Sequence, residues 1–157
     1  MNQPLEEFEM APAEHDIDVL NTLIETTLDS ADGYRQAAAN AKQGGYKDVF
    51  IRWADDRRQV VTQLQGQVRR LGGTPEDDGS GLAAGHPMFL KLRDAVTGSD
   101  ESVIDEVERG EDFIKEKYES ALQDEELSPE VRNAVVQAYA SVKTGHDQAR
   151  DLKRQAH

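Results

Sequence analysis

Two polar side chains stand where a helical apolar stripe is otherwise continuous: Glu111, between Val107 and Ile114, and His146, between Val142 and Ala149. A buried carboxylate without partners is costly, so such a residue must be ion-paired, protonated or metal-bound. Carboxylate and imidazole together suit a divalent transition metal, which leaves an ion-paired layer and a metal site as the open readings. Asp32 and Asp56 lie beside their own stripes and are further carboxylates for either reading. His15, His86 and His157 fall in a lead-in, a loop and the terminus, and read as solvated. Tyr34, Phe50, Trp53 and Tyr118 read as core aromatics, the tyrosines with hydrogen-bonded hydroxyls. With no cysteine in the chain, disulfides, thiolate zinc sites, iron–sulfur clusters and thiol nucleophiles are excluded. The run GGTPEDDGSG at 72–81 lacks the lysine and the strand that a phosphate loop needs.

The elements that hold these residues follow from hydrophobic periodicity. Ile17, Leu20, Ile24, Leu28, Ala31, Ala38 and Ala41 form the first stripe, and Gly44-Gly45 is expected to end it. Val49, Phe50, Trp53, Val60, Leu64, Val68 and Leu71 form the second, which stops at Gly72-Gly73. The third stripe, over about 100–123, carries Ile104, Val107, Glu111, Ile114, Tyr118 and Ala121. Ser128-Pro129-Glu130 is a strong start for the fourth, an N-cap serine followed by proline. Its stripe is Val131, Val135, Ala138, Val142, His146, Ala149 and Leu152. No segment alternates with period two, so the expected fold is an all-α four-helix bundle.

Breaks of a few residues make the first and third connections antiparallel hairpins. The middle break, roughly 72–99, is long and holds a short amphipathic piece at 88–96, expected to be a helix. It can return along the bundle and set the second and third helices parallel, the single-crossover arrangement. On that topology Asp32, Asp56, Glu111 and His146 share a depth of roughly 15–18 Å from one end. The organisation expected is a flexible acidic N-terminus over 1–14 and one domain over 15–157.

Asp and Glu number 31 against 18 Lys and Arg, for a formal charge of −13, which repels phosphate backbones and argues against nucleic acid and anionic membranes as partners. No basic start followed by an apolar run is present, and no apolar run is long enough to span a bilayer, so a cytoplasmic location is expected. Charge is segregated: residues 100–126 carry twelve acidic and three basic side chains. These read as solvated faces or, more sharply, as an acidic docking face for a protein partner.

The segments LNTLIETTLDSADGYRQAA (20–38), QLQGQVRRLGG (63–73), ERGEDFIKEKYESAL (108–122) and HDQARDLKR (146–154) resemble a family of small bacterial ferritin-like proteins, catalogued as domain of unknown function 2383. The resemblance implies a ferritin-like bundle with a stress association in some relatives, and no established reaction. Diiron members of the wider superfamily hold metal with a carboxylate from each of two helices and Glu-x-x-His from the other two. On that pattern Glu111 fits the third-helix glutamate, with Glu108 one turn earlier as a spare, and His146 fits the fourth-helix histidine. Its i−3 partner, however, is Lys143, and the second-helix pair would be Arg57 and Val60.

Cations at two ligand positions repel a divalent metal and can neutralise Glu111 instead. The leading expectation is therefore a structural ion-pair layer of Glu111, Arg57 and Lys143 in a non-enzymatic, stress-associated bundle protein, with no cofactor expected. The alternative is iron or another divalent metal held by a reduced site of Glu111, His146, Glu108, Asp32 and Asp56. A homodimer through helix faces is a further expectation.

Overall fold

The computed structural model describes residues 3–79 and 99–156, with side chains from residue 13 onward. The described residues form four α-helices and no strand: α1 Gln3–Asn40, α2 Gly44–Arg70, α3 Asp100–Leu122 and α4 Pro129–Ala156. α1 is already helical at Gln3, ahead of the domain start near His15 read from sequence. Gly44 and Gly45 open α2 instead of closing α1. Gln43 before them is extended and offers no side-chain cap. The turn takes its stabilisation from another helix: the Asp100 carboxylate accepts the backbone N–H groups of Lys42 at 2.7 Å and Gln43 at 3.2 Å.

The other ends are built locally. α2 closes with the Gly73 N–H on the Val68 carbonyl and the Gly72 N–H on the Arg69 carbonyl, both at 3.0 Å. This closure needs a left-handed residue, and Gly72 supplies it at φ 82°. The Ser99 hydroxyl caps α3 by accepting the Ser102 N–H at 3.3 Å, and Ser128 caps α4 by accepting the Val131 N–H at 3.4 Å.

α1 packs on α2 and α3, and α4 on α3 and α2, so α2 and α3 face each other across the diagonal. α2 ends where Gly73 closes on Ile17, near the start of the described side chains of α1. α3 begins at the opposite end, beside the α1–α2 turn that Asp100 caps. α3 therefore runs parallel to α2. The joining residues 80–98, including the expected short helix at 88–96, lie outside the described residues.

Two apolar clusters fill the interior. One packs Leu20, Ile24 and Leu28 of α1 with Val60 and Leu64 of α2, Ile114 and Tyr118 of α3, and Val135 and Val142 of α4. The other packs Tyr34 and Ala37 with Phe50, Ala54, Val103, Val107 and Ala149. On every helix a short step of chain separates the two, and those steps bring a polar layer together.

Candidate functional site

The layer draws one residue from each of α2, α3 and α4 and two from α1. Arg57 follows Ala54 and precedes Val60 on the buried face of α2, and Glu111 occupies the matching place between Val107 and Ile114 on α3. Their side chains are 3% and 1% exposed. One terminal nitrogen of Arg57, Nη2, donates to both carboxylate oxygens of Glu111, at 2.5 and 2.8 Å. The other, Nη1, donates to the Ser30 hydroxyl of α1 at 3.1 Å. The Tyr34 hydroxyl donates a second, short hydrogen bond to Glu111 Oε1. On the α4 side stands Gly145: a Cβ there would lie 2.3 Å from Arg57 Nη2 and 3.3 Å from Glu111 Oε1. A glycine is what lets the guanidinium lie against that helix.

Packing holds the layer in place. The Arg57 guanidinium lies 5.6 Å from the Tyr34 ring centroid, a favourable cation–π separation. Tyr34 packs on Trp53 at 5.6 Å edge-on and on Phe50 at 6.3 Å. Nearby, Tyr118 and Thr27 share a hydrogen bond of 2.7 Å, and the Thr27 hydroxyl donates to the Leu23 carbonyl at 2.6 Å.

The electrostatics keep the guanidinium charged and the phenols neutral. Burial by itself would lower the Arg57 pKa, but the facing Glu111 carboxylate and the nearby phenols outweigh it and hold the guanidinium above its ordinary value. Burial, followed by the Glu111 charge, pushes the Tyr34 phenol well up. Burial also pushes Tyr118 up to about 12. The layer thus joins a cation, an anion and neutral donors whose polar atoms satisfy one another.

The remaining residues singled out from sequence do not converge here. Lys143, expected in the layer, is exposed on α4; two positions along that helix, Gly145 is the residue that faces Arg57. His146, with its side chain 14% exposed, donates through Nε2 to Asp112 at 2.6 Å instead of meeting Glu111. Asp32 is exposed and accepts from Arg58 at 3.2 Å. Asp56 is exposed as well. Glu108 pairs with Lys153 at 3.3 Å. His15, read as solvated, bonds to Asp124 at 2.6 Å. His86 and His157 lie outside the described residues.

A dinuclear metal centre does not fit this donor set. Of the five expected ligands, Glu111 alone faces the core, and both its oxygens are taken by Arg57 and Tyr34. A divalent ion at that carboxylate would have to expel a buried guanidinium. Sequence reading missed Ser30 and Gly145. Ser30 carried no signal. A glycine inside a helix costs about 1 kcal/mol relative to alanine, and that cost marks Gly145 as a place of close approach.

Fold and layer together define an all-α four-helix bundle with a buried arginine–glutamate pair spanning its diagonal. Residues 15–124, well over half of the chain, match the family model described as Domain of unknown function (DUF2383), and the chain belongs to that family. No curated protein matches it.

Proposed function

We propose that the chain is a non-enzymatic, ferritin-like bundle protein, stress-associated like some of the proteins it resembles, in which an ion pair stands where diiron relatives hold metal. The observation that carries the reading is the Arg57 guanidinium on both oxygens of the buried Glu111 carboxylate. A cation supplied by the chain itself makes a metal redundant at that level and leaves no open coordination position for oxygen or peroxide. The reduced carboxylate–histidine site loses support from His146, whose ring is bonded to Asp112. No helix among the described residues is long and apolar enough to cross a membrane. The formal charge of −13 disfavours nucleic acid, and the acidic face of α3 suits a basic protein surface; a homodimer would have to form through other helix faces against that charge.

Anaerobic titration with Fe²⁺, followed by elemental analysis after desalting, tests the core reading. The expected outcome is no iron whose retention depends on Glu111. Two iron ions per chain, lost in Glu111→Ala, would refute it.

A further inference from the structure

Far from the core layer, a second group of polar atoms meets where α1 passes the turn between α3 and α4. His15 Nε2 lies 2.6 Å from Asp124 Oδ2 and 3.8 Å from Glu126 Oε2. One ligand atom from each residue falls within 4.8 Å of the others. His15 stands 109 residues from Asp124 in the chain, so only the fold unites the three. The turn that carries two of them is braced from several sides. Asp124 Oδ1 accepts the Glu126 backbone N–H at 2.9 Å, which directs Oδ2 at His15. Arg132 donates to the carbonyls of Leu122 and Asp124. Asp16, beside His15, accepts the Ser128 N–H at 3.1 Å.

We propose that His15, Asp124 and Glu126 form a site for a first-row transition dication of the zinc type, which fastens α1 to the α3–α4 turn. One imidazole and two carboxylates bring two negative charges, which a dication cancels. An imidazole selects such a metal over Mg²⁺ or Ca²⁺, which take oxygen ligands. Three protein ligands leave a fourth position for water, as in open zinc sites. Bonds of about 2.0–2.2 Å place tetrahedral ligand atoms roughly 3.3–3.5 Å apart, so His15 and Asp124 open slightly while Glu126 closes inward. Glu126 is free to do so, since its side chain is 81% exposed. The metal takes the position of the proton that His15 and Asp124 now share.

The neighbouring acidic side chains favour the ion. Asp16 and Asp18 add negative potential from α1, Asp18 from the wall of the same cleft. Two cations oppose this: Arg132, bonded to backbone carbonyls, still acts on Asp124, and Lys117 lines the cleft with its ammonium 5.3 Å from the Phe113 ring centroid. The site uses none of the core residues and stands independently of the function proposed above.

Chelator-treated full-length protein titrated with Zn²⁺ by calorimetry, with Co²⁺ absorption as a second reporter, decides the matter. One equivalent per chain is expected at micromolar affinity or tighter. Glu126→Gln alters an exposed side chain without a role in the fold and should weaken binding about tenfold or more, while His15→Ala should abolish the site. Affinity should also drop by about tenfold for each pH unit below the His15 pKa, because binding releases one proton. Glu111→Gln should leave all of this unchanged, which separates the outcome from that of the core iron test. Absence of micromolar binding, or binding indifferent to either His15→Ala or Glu126→Gln, overturns the proposal.

Discussion

At Glu111 the energetic issue is the fate of the Arg57 charge once its partner is neutralised. Both groups are nearly inaccessible, so water cannot replace a lost contact. Glu111→Gln should therefore lower stability by about 3–5 kcal/mol, read by urea unfolding. The double substitution Arg57→Met with Glu111→Leu should regain most of that loss, because it removes both desolvated charges together. A single-variant cost below about 1 kcal/mol would show that the pair is answered by something else. Gly145 gives an opposite-sign test. Alanine normally stabilises a helix interior by about 1 kcal/mol over glycine. Here the added Cβ would meet Arg57 Nη2 at 2.3 Å. An arginine tip can usually swing aside, but this one is held by Glu111 and Ser30. Gly145→Ala should thus destabilise by about 1–3 kcal/mol, and the penalty should vanish in the Arg57→Met background. Glu111 was legible in sequence because a charge breaks an apolar stripe at a core position. Ser30 was not, and Gly145 could signal only that something approaches the helix closely, not that it is Arg57.

The helices are joined to one another by polar ties at their ends. Asp100 of α3 closes the α1–α2 turn, and His15 of α1 holds the α3–α4 turn through Asp124. The second tie depends on pH. The hydrogen bond to Asp124, then the charges of Asp124, Glu126 and Asp16, outweigh burial and raise the His15 pKa above its ordinary 6.5. A raised folded-state pKa stabilises fully below the unfolded value and loses that contribution as pH climbs through the folded one. In metal-free protein, His15→Ala should therefore cost more stability at about pH 5.5 than at about pH 8.5. Equal costs at both values would remove the charged tie from the account. Asp124, held below the carboxylate range chiefly by the Glu126 backbone N–H and then by His15, stays ionised across that window. The helix start at Pro129 follows from capping chemistry that sequence shows. The α1–α2 turn does not, because its cap comes from a residue some sixty positions away.

Across the bundle the charge is unbalanced, at −13 overall, with twelve acidic and three basic side chains in 100–126. Such an excess repels itself at distances that salt screens, about 10 Å at 0.1 M. Raising NaCl from about 10 mM to about 0.3 M should increase the melting temperature by a few degrees, a gain on the order of 1 kcal/mol. The Glu111→Gln penalty should not change between those conditions, since a buried pair is hardly screened. A penalty that shrinks with salt would mean that the core layer is hydrated. The buried layer divides the interior into two apolar clusters, and the Arg57–Glu111 bond crosses between the diagonal helices that parallel each other. It thereby fixes their relative axial position, a task apolar packing alone performs loosely.

Four helices, their breaks, the acidic bias and one misplaced carboxylate can all be read along the chain, because each depends on local pattern. Which side chains meet is legible only in part: the family resemblance set Arg57 against Glu111, as the structure has it, while the other partners could not be read. Moving one residue along a helix shifts a side chain only about 1.5 Å in depth but turns it by about 100°. Depth reasoning accordingly reached the right level with Asp32, Asp56 and His146, while the inward places at that level belong to Ser30, Arg57 and Gly145. The joining of His15 to Asp124 and Glu126 spans more than a hundred residues and exists only once four helices have packed. Rotation about each helix axis, and hence every partner in both polar sites, is settled by how the bundle buries its apolar faces.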